Sequence, residues 1–195
     1  MKRVLLVATA IAGLAFAAPS LAQTVSGSVG ITGSVADRCV VNSSGGGETF
    51  SDTIPLGELT KSNGTLRGDL QGSSAISGAT VKFSVTCTGS SPQVTLSATQ
   101  LTAGLATPPS GFSDTIDYTA ELDLDKAAGG TVPYTYNTAT AAGPSTAPLG
   151  GQLSTANNNV RVSAYSFATV GGQSNVLSAS PSYAATISVS IAPTL

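Results

Sequence analysis

The chain has 195 residues, only 9% of them charged, and it contains no histidine and no tryptophan. Its basic side chains are few and scattered, so it lacks the positive patch that binding to a phosphate backbone requires. Without histidine it also lacks the usual general base of serine and cysteine nucleophile enzymes. We therefore expect neither a nucleic-acid-binding protein nor an enzyme, and we expect no cofactor.

Residues 1–22 have the pattern of a secretory signal peptide. Lys2 and Arg3 precede an apolar run, VLLVATAIAGLAFAA, and Ser20-Leu21-Ala22 has the small residues of a cleavage site. The run is shorter than the roughly 20 residues that a membrane-spanning helix needs. Cleavage after Ala22 leaves 173 of the 195 residues, with six basic and ten acidic side chains and a net charge of about −4. This length suits one domain.

The first residues after the cleavage site alternate between apolar or small side chains and polar ones. Side chains on a strand point alternately to opposite faces, so TVSGSVGITGSV (24–35) predicts a strand with one apolar face. That face consists of Val25, Gly27, Val29, Ile31, Gly33 and Val35. No tight-turn sequence follows to fold it back as a hairpin. The strand either pairs within its own chain or serves another chain.

The two cysteines, Cys39 and Cys87, predict a disulfide, because an even count in an exported protein favours one. A bridge across 48 residues stabilises the fold by roughly 4 kcal/mol in the chain-entropy treatment. The alternatives are a metal site, for which the chain offers no histidine ligand, and a reactive thiol. We expect Cys39 to end the opening strand and Cys87 to end a strand over 81–87.

The rest of the chain predicts further strands and no helix. The alternating segments are 81–87, 94–98, 116–125, 134–136, 160–164 and 182–191. The piece 53–59 contains Pro55, which places it at a sheet edge or a bend. Several short strands separated by Gly- and Pro-rich turns predict an all-β sandwich.

One acidic run invites a functional interpretation. Asp117, Glu121, Asp123 and Asp125 share the polar face of the strand predicted over 116–125. They are either a weak calcium site or a solvated strand face, and their spacing does not match an EF-hand loop. We favour the solvated face and predict no metal site.

Four features together resemble the major pilins of the archaic chaperone–usher pathway, within the spore coat protein U-like family. They are the alternating N-terminal segment running into Cys39-Val40-Val41, the pair Leu56-Gly57, the stretch FSVTC (83–87) with Gly89 and Val94-Thr95-Leu96, and the C-terminal YAATISVSI (183–191). The chain departs from the family in a longer middle region, 126–159, and in four residues beyond Ile191.

The resemblance implies an incomplete immunoglobulin-like β-sandwich that is completed by a donor strand from a neighbouring subunit. It implies a signal peptide at 1–22, a donor strand segment at 23–36 and a pilin domain at 37–195. The apolar face described above would then fill the neighbour's groove, and Ile187, Val189 and Ile191 would line this chain's own acceptor groove. Burying two valines and an isoleucine at about 1.5–3 kcal/mol each contributes roughly 5–9 kcal/mol.

The function implied is that of a structural subunit of a surface fimbria, which serves adhesion and biofilm formation. Its partners would be copies of itself, a periplasmic pilus chaperone and an outer-membrane usher, and it would pass through the periplasm to the cell surface. Two alternatives stay open. One is a secreted monomeric β-sandwich that binds carbohydrate or calcium, and the other is a coat protein of the same fold that forms no pili.

Overall fold

The computed structural model describes residue 26 and residues 28–42, 47–105, 107–180 and 182–194. The signal peptide predicted at 1–22 lies outside these residues. The chain divides into two units, Met1–Ser34 and Val35–Leu195. Within the first unit, the described residues form no helix or strand and are exposed. The domain boundary predicted between 36 and 37 stays a prediction.

The second unit is all-β, and its described residues form twelve strands and no helix. The strands are β1 (Cys39–Val41), β2 (Thr80–Phe83), β3 (Val85–Cys87), β4 (Gln93–Ala98), β5 (Leu101–Thr102), β6 (Phe112–Ser113), β7 (Thr115–Asp125), β8 (Thr131–Asn137), β9 (Ser145–Pro148), β10 (Val160–Thr169), β11 (Val176–Leu177) and β12 (Ile187–Ala192). This content is consistent with the predicted β-sandwich. No helix among the described residues is long and apolar enough to span a membrane.

The larger sheet has five strands. Its order is β2-β10-β7-β5, and β8 pairs with β7 beyond the stretch that β5 occupies. The smaller sheet has the order β12-β4-β9, and all its pairs are antiparallel. Two short pairs, β1 with β3 and β6 with β11, complete the set. Both β2 and β12 are therefore edge strands, each with one hydrogen-bonded neighbour among the described strands.

The alternation predicted for 116–125 is confirmed in β7. Its apolar side chains are all buried, and the polar ones between them are partly exposed. The buried set consists of Ile116, Tyr118, Ala120, Leu122 and Leu124. These residues join the two apolar clusters that form the core, because β7 runs the length of the larger sheet. The burial is the main hydrophobic contribution of this strand to stability.

The stretch 81–87 does not form the single strand that its alternation predicts. It breaks at Ser84, so that β2 pairs with β10 and β3 pairs with β1. At Ser84 the chain passes from the β10 ladder to the β1 ladder. Its carbonyl accepts from the Asn42 N–H at 2.7 Å, and its hydroxyl accepts from the Asn158 N–H at 2.9 Å.

Two other strands differ from the sequence prediction. Residues 28–38 form no strand, and Cys39 begins β1 instead of ending the opening strand. The C-terminal strand covers only Ile187–Ala192. Before it, Ala184 pairs with Thr102, and this pair is one residue out of register with the β12–β4 pairs, so the ladder does not continue to residue 182. The strands β9 and β11 were not predicted, since SerThrAlaPro and ValLeu are too short to show a period.

Candidate functional site: an apolar groove between two strand edges

A groove of about 910 Å³ opens in the second unit between the edge strands β2 and β12. Val81 and Phe83 of β2 lie on one side, and Ile187 and Val189 of β12 lie on the other. The run 48–57, which belongs to no strand, also lines it. The groove therefore lies where the three-stranded sheet leaves part of the five-stranded sheet without a strand opposite it.

The floor of the groove is the inner face of the larger sheet. It includes Tyr118, Val162, Ala164 and Phe167, each less than a tenth exposed. The Tyr118 and Phe167 rings stack with their centroids 5.4 Å apart. The Tyr118 hydroxyl is buried and has no hydrogen-bond partner among the described residues, and burial raises the pKa of Tyr118 to about 12. The floor is thus apolar apart from one uncompensated hydroxyl.

The β12 wall offers backbone hydrogen-bonding groups as well as apolar side chains. The Thr99 N–H donates to the Thr186 carbonyl at 3.0 Å, which sets the phase of the β4–β12 ladder. In an antiparallel ladder alternate residues point their backbone groups toward the partner. Those of Ile187, Val189 and Ile191 therefore point away from β4, to the open edge. The strand edge can pair with an added strand.

The run 48–57 lies on the β2 side of the groove and belongs to no strand. It forms no backbone-to-backbone hydrogen bond with another described residue. Its side chains hold it in place: the Phe50 ring packs on Phe83 with centroids 4.3 Å apart, and Ile54 and Leu56 pack on the core beside Phe167. The Arg67 guanidinium secures its far end by donating to the carbonyls of Leu56 and Glu58 at 3.4 and 2.5 Å.

The predicted acceptor residues occupy different positions relative to this groove. Ile187 and Val189 line it, whereas Ile191 lies on the same face of β12, half-buried against the core, beyond the groove lining. Phe83, Phe50, Ile54 and Leu56 also line the groove and were not predicted to do so. Phe50, Ile54 and Leu56 all stand at even-numbered positions, as residues on one face of a strand do, and this was the available signal. Pro55 and the missing strand partner masked it.

The predicted donor residues are exposed where the structure describes them. Val29, Ile31 and Val35 are 92%, 95% and 77% exposed. A Cβ atom added at Gly33 would meet no other atom within 4 Å. Val25 and Gly27 lie outside the described residues. Large apolar side chains this exposed gain free energy when another surface covers them.

Cys39 and Cys87 form the predicted disulfide. The two residues face each other directly in the β1–β3 pair. Cys87 is buried, and the bridge packs against the apolar core cluster that contains Leu122 and Leu124. The disulfide therefore ties the start of the second unit to the strand that precedes β4, and it is compatible with an exported protein.

The acidic face of β7 is occupied by internal contacts. The Arg161 guanidinium donates to both Asp125 oxygens at 2.8 and 2.9 Å and lies 3.8 Å from Asp123. These hydrogen bonds from Arg161, with one from Thr131, lower the pKa of Asp125 to about 2. Glu121 accepts from the Tyr165 hydroxyl at 3.0 Å.

The remaining carboxylate, Asp117, accepts hydrogen bonds from Gln100 and Thr138. Within the described part of the chain, no three His, Cys, Asp or Glu side chains are grouped closely enough to hold a metal ion. The acidic strand face thus has the partners of a structural network.

Comparison of the chain with protein-family models, with curated proteins and with solved structures finds no match in any of the three. The groove, the exposed segment and the disulfide of this chain are therefore the features that bear on its function.

Proposed function

We propose that the protein is a structural subunit that polymerises by donor-strand exchange into a surface fimbria. In this proposal, residues 23–36 of one copy occupy the groove of the next copy as an added strand. The observation that carries it is the pairing of an apolar groove beside an open strand edge with an exposed segment of matching character in the same chain. The sequence resemblance to archaic chaperone–usher pilins supports the same function.

The chemistry of the segment matches that of the groove. Residues 23–36 contain no charged side chain, so no charge has to be desolvated when the segment is buried. Burying Val29, Ile31 and Val35 contributes about 1.5–3 kcal/mol each. Added strands obtain affinity from main-chain hydrogen bonds and specificity from pockets for alternate side chains. The open edge of β12 offers main-chain hydrogen bonds, and the apolar lining offers pockets for side chains.

The remaining partners follow from the same proposal. A subunit with an unfilled groove needs a temporary strand during export, and a periplasmic pilus chaperone would supply it. At an outer-membrane usher, the N-terminal segment of the next subunit would then replace the chaperone strand. Adhesion and biofilm formation would be properties of the fibre. The disulfide fits this route, because disulfides form in the bacterial periplasm.

The test uses the oxidised mature chain, residues 23–195, and two variants that add one negative charge to the same segment. Ile31→Asp places the charge on the apolar face, and Thr32→Asp places it on the polar face. We expect the wild type and Thr32→Asp to form an SDS-resistant ladder on unboiled gels, and Ile31→Asp to remain monomeric. Both positions are exposed, so neither change should alter the stability of the subunit.

A synthetic peptide of residues 23–36 supplies the second arm. Added in excess, it should bind the groove and block ladder formation by the wild type. If the wild type runs as a folded monomer on size exclusion and binds no peptide, the proposal is wrong, and the secreted monomeric binding module becomes the better interpretation.

A further inference from the structure

The turn between β3 and β4 holds the root of the N-terminal segment through a single threonine. The Thr88 hydroxyl accepts from the Arg38 N–H at 2.9 Å and donates to the Ala36 carbonyl at 3.0 Å. The Thr88 N–H donates to the Arg38 carbonyl at 2.9 Å. One residue thus satisfies three backbone groups of the stretch immediately before Cys39.

The bond from the Thr88 N–H to the Arg38 carbonyl continues the β1–β3 register, and the two bonds of the hydroxyl add to it by side-chain chemistry. The regular ladder begins at the Cys39–Cys87 pair, and Thr88 follows Cys87 directly. A serine or threonine hydroxyl can both donate and accept, so it can bridge a carbonyl and an N–H two residues apart. Valine has nearly the same shape but lacks this ability. The hydroxyl, and not the shape of the side chain, therefore makes the bridge.

The turn that carries Thr88 is itself held by the C-terminal tail. The backbone of Thr194 lies against Gly89, where a Cβ atom would lie 3.0 Å from the Thr194 carbonyl oxygen. The Thr194 hydroxyl donates to the Ser91 carbonyl. The residues that follow β12 thus pack on this turn, which gives Thr88 a fixed platform. The tail that distinguishes this chain from the pilin pattern has a structural role here.

We propose that Thr88 is a positioning residue. By holding Ala36, it fixes the point at which the exchanged N-terminal segment leaves the body of its subunit, and so keeps the junction between neighbouring subunits short and stiff. This inference rests on the proposed donor-strand exchange. Without the Thr88 hydroxyl, the bond from the Thr88 N–H to the Arg38 carbonyl remains, and Arg38 is the next fixed point. Ala36 and Asp37 then join the free segment and lengthen the linker by up to about 7 Å, at roughly 3.3–3.6 Å per extended residue.

The test compares the wild type with Thr88→Val, Thr88→Ser and Thr95→Val in the full mature chain. Thr95→Val is the matched control. The Thr95 hydroxyl is 3.0 Å from that of Thr146 on the neighbouring strand β9, away from the contacts of Thr88. Thr88 is exposed, so its replacement leaves the core unchanged. Thr88→Ser keeps the hydroxyl and should behave as the wild type.

The first readout is hydrogen exchange at the Arg38 amide. We expect it to be protected in the wild type and to exchange about tenfold faster or more in Thr88→Val, as local opening predicts. The second readout is the distribution of bend angles between subunits in electron micrographs of the fibres. It should broaden for Thr88→Val and stay unchanged for Thr88→Ser and Thr95→Val.

The outcomes separate this inference from the proposed function. If the wild type forms no ladder and binds no 23–36 peptide, donor-strand exchange itself fails. If the wild type assembles and the peptide competes, but Thr88→Val fibres bend like the wild type, the positioning role is wrong. Should Thr88→Val not fold, the exchange rate of the wild type decides. If the Arg38 amide exchanges as fast as the Gly33 amide, Thr88 does not hold this stretch and the positioning role is wrong.

Discussion

The rings of Phe50 and Phe83 lie 4.3 Å apart between their centroids, and this contact joins the unpaired run 48–57 to the edge strand β2. Phe50 is the largest side chain of that run, which forms no backbone ladder with the residues that the structure describes. The position of one groove wall therefore depends on side-chain packing, in contrast to the hydrogen-bonded strands around it.

Replacing Phe50 with alanine should destabilise the subunit by about 2 kcal/mol. Full burial of a phenylalanine corresponds to 3–5 kcal/mol in such replacements, and Phe50 is only half-buried. The midpoint of urea unfolding measures the change. Phe112→Ala is the control, because Phe112 is 44% exposed and should cost less than 1 kcal/mol. Equal losses at the two positions would contradict a packed groove wall.

Removing the disulfide should have the largest single effect on stability. The double variant Cys39→Ser, Cys87→Ser should lose about 4 kcal/mol in the chain-entropy treatment, since the bridge closes a loop of 48 residues. Denaturant unfolding of the variant provides the measurement, and wild type treated with a reductant should give the same midpoint. A variant as stable as the oxidised wild type would show that the β1–β3 pair needs no covalent link.

The pair of Asp125 and Arg161 should make stability depend on acid pH. The pKa of Asp125 is about 2 in the folded chain and 3.8 in its ordinary state. Because the folded pKa is the lower one, the stabilisation is present above about pH 4 and is lost as the pH falls toward 2. Asp125→Asn should cost about 1 kcal/mol at pH 7, after allowance for solvent screening. It should cost much less at pH 2, where half of the folded carboxyl groups are protonated, as urea unfolding at both pH values will show.

Two buried tyrosines should respond in opposite directions to loss of the hydroxyl. The Tyr134 hydroxyl donates to the Pro148 carbonyl at 3.1 Å, whereas the Tyr118 hydroxyl has no partner among the described residues. Tyr134→Phe should therefore destabilise by about 1 kcal/mol, and Tyr118→Phe should stabilise by about 1 kcal/mol. Thermal unfolding measures both. Destabilisation by Tyr118→Phe would mean that a partner reaches its hydroxyl in solution.

Much of the β-structure could be predicted from local patterns, and the groove only in part. The strand β7 was predictable because buried and exposed positions alternate without interruption from Ile116 to Asp125. The break at Ser84 was not, because it depends on contacts with Asn42 and Asn158, which lie far away in the chain. Ile187 and Val189 were predicted to line the groove, but the lining by β2 and by the run 48–57 was not predicted.

The order of amino acids alone determines the alternation of the N-terminal segment, the apolar face of β12 and the presence of two cysteines after a predicted signal peptide. These are local properties, since side-chain direction repeats every second residue along a strand. Only the tertiary structure decides that β2 and β12 are edges, that the run 48–57 lies beside β2, and that Thr88 holds the stretch from Ala36 to Arg38. Each of these depends on contacts between residues distant in the chain, which no local pattern encodes.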